Sequence, residues 1–231
     1  MKKNVLITGS NKGIGYETAR QLGLLGFKIF ISGRNENSLN EACTNLANLG
    51  IDVSKLLIDV SDLQSIYKAE EKFSKLGFKI DVLINNAAIL IKEDNSIFNM
   101  NTNLIEETIQ TNCYGPINVT RTFLKHLNPF CKVINVSSGG GSMTDEIGGW
   151  SPFYCVSKSL LNSITRQMAY ELKEKDISVN GVCPSWVKTD MGGQFATRMV
   201  SEGSETIVWL SNEAPNDLTG KFFIDKIQIP W

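Results

Sequence analysis

Tyr154 and Lys158 are the two residues whose types and spacing most clearly indicate chemistry. On a helix, positions four apart lie on one face, about one turn from each other. A phenol has a reference pKa near ~10, and a fixed ammonium beside it lowers that pKa. The pair therefore predicts a general acid/base, with the tyrosine pKa lowered by Lys158 toward neutrality. The same spacing occurs by chance in many helices, so the rest of the chain has to support the prediction.

A glycine-rich turn near the start of the chain is a second candidate site. An apolar run at 4–8 leads into three glycines, and a helical apolar pattern follows. Glycines let a backbone approach a pyrophosphate, and a helix N-terminus supplies N–H groups to it. The residues predicted to hold a dinucleotide here are Gly9, Ser10, Asn11, Lys12, Gly13, Ile14 and Gly15.

Arg34 follows the second apolar run, at 27–32, where a dinucleotide fold contacts the adenosine ribose. An acidic residue at this point binds a 2′-hydroxyl, whereas an arginine accepts a 2′-phosphate. Together with Lys12, Arg34 therefore favours NADP(H) over NAD(H). The alternative is that both are solvated loop cations.

Composition narrows the classes of partner. The chain has 231 residues, 42% of them hydrophobic, and a net charge of −1, so we expect one domain over 1–231 and no nucleic-acid partner. Five scattered cysteines without a C-x-x-C motif favour reduced thiols and a cytoplasmic protein. No run approaches the ~20 apolar residues of a membrane span, and nothing calls for a metal.

The apolar runs alternate with helical patterns, which predicts an α/β fold: a Rossmann-type, doubly wound, mostly parallel seven-stranded sheet with helices on both faces. The predicted strands are 4–8, 27–32, 55–58, 80–84, 132–136, 178–183 and 221–224. The predicted helices include 38–49, 62–76, 101–127, 154–175 and 205–210, with a local break at Asn112. Residues 185–205 are predicted to form a substrate loop or lid.

The chain resembles the short-chain dehydrogenase/reductase family over nearly its whole length, and within it the NADPH-dependent carbonyl reductases. The resemblance rests on several motifs in the family's order: Thr8-Gly9-x-x-x-Gly13-Ile14-Gly15, Asp59-Val60, Asn85-Asn86-Ala87-Ala88, Asn112, Ser137-Ser138, Tyr154-x-x-x-Lys158 and the turn from Pro184 to Thr189.

This resemblance implies a role for each matching residue. Tyr154 would exchange a proton with the carbonyl or alcohol oxygen, and Ser138, rather than Ser137, would polarise that oxygen. Lys158 would lower the tyrosine pKa and hold the nicotinamide ribose, while Asn112 would support a water connecting Lys158 to solvent. Further cofactor contacts are implied for Asp59, Val60, Asn86, Ala87, Ala88, Pro184, Val187 and Thr189.

Two departures from the family pattern are visible. Ala88 and Ser185 stand where the family usually has glycine, and Ser185 is strained if its turn needs a positive φ. The chain also lacks the long insertion that some carbonyl reductases carry between the Ser138 and Tyr154 positions. We therefore expect a homodimer or homotetramer.

The substrate is expected to be a small carbonyl or alcohol compound with apolar character. Six large apolar residues flank the predicted pocket, although core or lid packing would explain them equally: Met143, Trp150, Phe153, Trp186, Met191 and Phe195. A serine hydrolase is disfavoured because the only histidine, His126, is expected on a helix surface and no G-x-S-x-G elbow is present. A non-catalytic NADP-binding sensor on the same fold remains the alternative.

Overall fold

Strands buried on both faces make up the centre of the protein. The computed structural model describes residues 2–99, 101–146 and 150–231. Val5, Leu6 and Ile7 are all fully buried, which is typical of a parallel sheet covered by helices on both sides. The strands are β1 Asn4–Ile7, β2 Lys28–Gly33, β3 Val53–Leu57, β4 Ile80–Asn85, β5 Leu127–Val136, β6 Ser178–Val182, β7 Phe222–Ile224 and β8 Ile227–Ile229.

The sheet has the order β3-β2-β1-β4-β5-β6-β7-β8, and only β7 and β8 pair antiparallel. The chain winds outward from β1 to β3 and then returns to β4 on the other side of β1, so a crevice opens between β1 and β4. The prediction of a doubly wound, mostly parallel sheet is confirmed. The strand count was wrong by one, because β8 forms a hairpin with β7 that the sequence does not signal.

Helices cover both faces. They are α1 Gly13–Leu24, α2 Glu36–Asn48, α3 Leu63–Lys75, α4 Thr102–Ile109, α5 Gly115–Phe123, α6 Pro152–Leu172 and α7 Val200–Asn212. Helices α1, α2 and α7 pack on the face that Val5 and Ile7 present. Helices α3, α5 and α6 pack on the opposite face, against Leu6 and Phe30. This division follows the two-residue alternation of strand side chains.

Several predicted boundaries change in the structure. The helix predicted over 101–127 is interrupted by a π-helix, Gln110–Tyr114, so the local break at Asn112 is confirmed. Strand β5 begins at Leu127 rather than Lys132. Helix α7 begins at Val200, so the last part of the predicted lid, 200–205, belongs to that helix. Within the described residues, no helix has the length and apolarity needed to cross a membrane.

Candidate active site

The glycine turn lies where β1 ends and α1 begins, at the crevice between β1 and β4. Gly9 and Gly13 both have φ near +60°, which glycine adopts without strain. A Cβ on Gly9 would lie 2.8 Å from the Cα of Ala87, and one on Gly15 would lie 2.5 Å from Nδ2 of Asn86. Gly9 is therefore required both by its positive φ and by the close approach of Ala87, and Gly15 is required by the close approach of Asn86.

The N-terminus of α1 fits a phosphate group. Its N-cap residue, Lys12, makes no side-chain cap hydrogen bond within the described residues, so the first-turn N–H groups remain available to an anion. Ser10 is turned inward, because its Oγ donates to the carbonyl of Ile7 at 2.8 Å. Asn11 donates to Oγ of Ser38 at 3.1 Å and so connects the turn to α2.

The two cations predicted to contact the 2′-phosphate differ in their surroundings. Arg34 is exposed directly after β2, and no carboxylate of the described residues forms a salt bridge with it. Lys12, in contrast, forms an exposed ion pair with Asp190, with Nζ and Oδ2 2.6 Å apart. This pair connects the glycine turn to the segment after β6. Arg34 is thus free to bind an anion, whereas Lys12 would first exchange a partner.

Asp59 and Val60 follow β3, but their side chains have internal partners. Oδ1 of Asp59 accepts hydrogen bonds from the backbone N–H and the hydroxyl of Ser61, at 3.0 and 2.6 Å. Val60 is buried, and a Cβ on Gly115 would lie 3.1 Å from its side chain. Val60 thus packs against the start of α5, and the contact of Asp59 and Val60 with the adenine, which the resemblance implies, stays a prediction.

Hydrogen bonds of Thr8 and Asn86 connect the ends of β1 and β4. The hydroxyl of Thr8 accepts from the N–H groups of Asn86 and Ala87, at 3.0 and 3.1 Å. The amide of Asn86 donates to the carbonyls of Thr8 and Gly9, both at 2.9 Å. Asn86 therefore fixes the glycine turn. Ala87 and Ala88 follow it, at the crevice between β1 and β4.

Asn112 lies in the π-helix and joins two further elements. Its Oδ1 accepts from the N–H of Ile89 at 2.8 Å, and its Nδ2 donates to the carbonyl of Ile89 at 2.9 Å and to Oγ of Ser157 at 3.0 Å. The Ser157 hydroxyl donates in turn to the carbonyl of Tyr154 at 2.7 Å. Asn112 thus connects the loop after β4 to the helix that carries Tyr154.

Ser138, Tyr154 and Lys158 meet at the end of β5. Lys158 is 2% exposed, and its Nζ donates to the carbonyl of Val136 at 2.9 Å, 5.5 Å from the Tyr154 ring centre. Ser137 donates to Oδ1 of Asn162 at 2.6 Å, so its hydroxyl is already engaged. Ser138 is less buried, its Oγ accepts from the N–H of Gly140 at 3.1 Å, and it lies close enough to Tyr154 to influence the pKa of the phenol. The choice of Ser138 over Ser137 agrees with this arrangement.

The predicted lowering of the Tyr154 pKa is wrong for the protein without its ligands. Burial raises the pKa of Tyr154, and the hydrogen bond from Ser138 opposes that shift. Burial also lowers the pKa of Lys158 to about 8, against the opposing influence of Cys113 and Cys183. At that pKa the Lys158 ammonium is still mostly protonated at pH 7 and loses its charge as the pH rises past about 8, so burial rather than this charge sets the direction of the Tyr154 shift.

The segment after β6 closes the site from the side of α7. Pro184 is buried, and Ser185 has φ of 65°, so the turn does need a positive φ at the position where the family usually has glycine. The side chain of Val187 packs on Gly203 of α7, which leaves only its backbone for a cofactor. Thr189 lies against the glycine turn, since a Cβ on Gly13 would be 3.4 Å from its methyl group.

Most of the large apolar residues predicted around the pocket are exposed, namely Met143, Trp150, Trp186, Met191 and Phe195. The Trp150 ring lies 5.9 Å from the Tyr154 ring. Phe153 is the exception, because its side chain is buried. The exposed set is open to a ligand, whereas Phe153 contributes to packing.

His126 is not a surface residue as expected. It is buried, its Nε2 lies 2.5 Å from Oε1 of Glu70, and its ring packs against Phe73. It directly precedes β5, whereas Ser138 follows the other end of that strand. Ten strand residues span roughly 33 Å, so a Ser–His pair is excluded.

Asp94 was missed by the sequence analysis. Its carboxylate accepts from the N–H groups of Phe153 and Tyr154, at 3.1 and 2.8 Å. The contact joins positions 59 and 60 residues apart, so no local pattern could have predicted it. The structure otherwise brings the predicted residues together along one edge of the sheet.

Comparison with known proteins agrees with this geometry. The sequence model of the family described as short chain dehydrogenase matches residues 3–215. The short-chain dehydrogenase anuI of Penicillium roqueforti is 32% identical, over 97% of this chain and 95% of that protein. Carbonyl reductase (NADPH) 1 of Sus scrofa is 31% identical, over 98% of this chain and 93% of that protein.

A solved structure extends the likeness to three dimensions. The NADPH-bound carbonyl reductase from chicken fatty liver superposes with a TM-score of 0.89 at 28% identity, covering 100% of this chain and 99% of that one. The family match spans all the motifs described above, from the glycine turn to Thr189. The chain therefore belongs to the short-chain dehydrogenase family.

Proposed function

We propose that this protein is a carbonyl reductase, which reduces a ketone or aldehyde to the alcohol with NADPH. The observation that carries the proposal is the meeting of Ser138, Tyr154 and Lys158 at the end of β5, with Lys158 held by the Val136 carbonyl. The carbonyl reductases among its relatives support the same activity.

The cofactor is NADP(H), as predicted from Arg34 and Lys12. Relatives named for NADPH and an NADPH-bound neighbour in structure carry this assignment. The uncapped start of α1 and the glycine cradle fit the pyrophosphate, and Arg34 fits the 2′-phosphate. When bound, NADPH supplies the hydride that reduces the carbonyl carbon.

The protein's own residues hold and protonate the carbonyl oxygen. Ser138 and Tyr154 donate hydrogen bonds to that oxygen, where negative charge develops during reduction. Tyr154 then gives up its proton. Its raised pKa without cofactor keeps the phenol protonated at neutral pH, and Lys158, one turn along the helix, replenishes the proton.

In this proposal, the side chain of Asn112 serves to position the elements around it. Both polar atoms of its side chain are occupied by Ile89 and Ser157. A water path from Lys158 to solvent would therefore use the Asn112 backbone carbonyl rather than its amide. The side chain keeps the loop after β4 at a fixed distance from α6.

The substrate we propose is apolar, and residues 185–199 form the lid over it. The supporting observation is the exposure of Trp186, Met191 and Phe195 within this segment, because large exposed apolar groups beside a site favour an apolar ligand. The lid is anchored at its base, where the backbone N–H of Lys188 donates to the carbonyl of Arg198 at 2.8 Å.

We further propose a homodimer or homotetramer built on the α5 and α6 faces. Helix α6 exposes Val156 and Leu160, and Tyr114 is exposed at the start of α5. Light scattering coupled to gel filtration measures the oligomeric state directly.

The five cysteines are all free, which supports a cytoplasmic setting. The rival interpretation, a non-catalytic NADP-binding sensor, draws no support from relatives named as dehydrogenases and reductases.

The experiment is a panel of aromatic aldehydes, diketones, quinones and ketones, with oxidation of NADPH or NADH followed by absorbance. We expect turnover on apolar members with NADPH preferred. Arg34→Ala should raise the KM for NADPH by about tenfold and leave that for NADH unchanged. The matched control is Arg121→Ala, an exposed arginine on α5. Equal use of both cofactors by the wild type would contradict the assigned role of Arg34.

A further inference from the structure

The start of α6, directly before Tyr154, is capped by a residue distant in sequence rather than by its own N-cap residue. The first N–H groups of a helix lack partners within the helix. Pro152 has no N–H, and the N–H of Cys155 bonds to the carbonyl of Ser151 at 3.0 Å. The N–H groups of Phe153 and Tyr154 remain, and both bond to the carboxylate of Asp94. The ordinary N-cap residue, Ser151, makes no side-chain cap bond within the described residues.

Asp94 belongs to the loop that follows β4. This loop is fixed at three points: Asn86 bonds to the glycine turn, Ile89 bonds to Asn112, and Asp94 bonds to α6. Asp94 is only 4% exposed. A buried carboxylate needs partners, and here both oxygens are used, one on each N–H. The negative charge also complements the positive end of the α6 dipole.

We propose that Asp94 is a positioning residue for Tyr154: its carboxylate fixes the first turn of α6 and thereby the direction of the phenol. The inference rests on the proposed function, because Tyr154 is the proton donor there. The bond that Asp94 makes to Tyr154 is to the reacting residue's own backbone N–H, at 2.8 Å. A small displacement of this turn moves the hydroxyl, and misplacement of about 1 Å can cost about 100-fold in rate.

Lys158 is held in place by contacts that do not involve Asp94, so the effect of Asp94 on Tyr154 can be tested separately. Its Nζ is held by the Val136 carbonyl, and Ser157 beside it is held by Asn112. The glycine turn and Arg34 lie on other elements. Loss of the Asp94 carboxylate should therefore disturb Tyr154 while leaving cofactor binding intact.

The test is steady-state kinetics of Asp94→Ala on a substrate turned over by the wild type, with NADPH affinity measured by fluorescence titration. The matched control is Glu70→Ala, which removes an equally buried carboxylate, 7% exposed, from α3. We expect Asp94→Ala to lower kcat by about 10- to 100-fold, with the Kd for NADPH within about twofold of wild type. Glu70→Ala should lower stability but keep kcat.

A kcat for Asp94→Ala no lower than that of Glu70→Ala would overturn the proposal, as would an equal loss of NADPH affinity and kcat. Should Asp94→Ala fail to fold, Asp94→Asn is compared with Glu70→Gln. Asp94→Asn keeps one acceptor oxygen, so kcat should fall by only about 3- to 10-fold, and no fall would overturn the proposal. Tyr154→Phe, measured in parallel, separates the two hypotheses: full activity there would refute the proposed function itself, independently of Asp94.

Discussion

Lys158→Met should change the pH dependence of stability in the protein without cofactor. Burial lowers the pKa of Lys158 to about 8 from its ordinary value of 10.5. Between these two values the unfolded chain binds more protons than the folded one, so Lys158 makes stability rise with pH. The slope is about 1.36 kcal/mol per pH unit, so from pH 8 to about pH 9.5 the gain is about 2 kcal/mol.

The assay is urea unfolding of wild type and Lys158→Met at pH 7, 8 and 9.5. Cys113 and Tyr154, which neighbour Lys158, have pKa values raised by burial, so they stay neutral in the folded protein up to pH 9.5. Groups away from Lys158 titrate in both proteins and cancel in the difference. At pH 7 the wild type carries the whole cost of burying the ammonium. Its free energy of unfolding should then rise relative to Lys158→Met by about 2 kcal/mol as the pH reaches 9.5.

A difference that stays constant within about 0.5 kcal/mol across this range would refute the reasoning. It would mean that Lys158 stays protonated when folded. The lowered pKa of Lys158 would then be wrong, and the ammonium would remain beside the phenol throughout this pH range.

Three further changes test other parts of the structure. Ser185→Gly should stabilise the protein by up to about 1 kcal/mol, because φ of 65° favours glycine; a lower thermal midpoint would contradict this. Asp190→Asn releases Lys12 from its ion pair, so fluorescence titration should give a few-fold lower Kd for NADPH and an unchanged Kd for NADH; equal shifts for both cofactors would argue against Lys12 as a 2′-phosphate contact. His126→Gln should keep kcat but lose about 1–3 kcal/mol of stability, because Glu70 loses a buried partner; a large loss of kcat would reopen a role for the imidazole.

The sequence predicted the sheet well because most of its strands are short apolar runs followed by glycine, small or amide residues. It missed β8 because the two-residue turn that joins β7 to β8 lacks the usual sequence signal of a hairpin. The turn residues, Asp225 and Lys226, both have positive φ, a conformation that Asn-Gly usually signals. Asp225-Lys226 is not one of the Asn-Gly or Asp-Gly pairs that predict such a turn.

Tyr154 and Lys158 were predicted from their spacing, and Ser138 and Asn112 from the family resemblance, but neither predicted the electrostatics of the site. Spacing placed Lys158 one turn from Tyr154 correctly, yet it contains no measure of burial, and burial decides the direction of both pKa shifts. The contact of Asp94 with α6 and that of His126 with Glu70 join distant positions. Only the folded arrangement reveals such pairs.

The most direct test of the central claim is the rate of NADPH oxidation by Tyr154→Phe on a carbonyl that the wild type reduces. The control is Tyr170→Phe, the same substitution on the same helix at a side chain that is 81% exposed. We expect Tyr154→Phe to bind NADPH normally and to lose at least about 100-fold in kcat, while Tyr170→Phe matches the wild type. A Tyr154→Phe variant that turned over as fast as its control would contradict the assignment of Tyr154 as the proton donor.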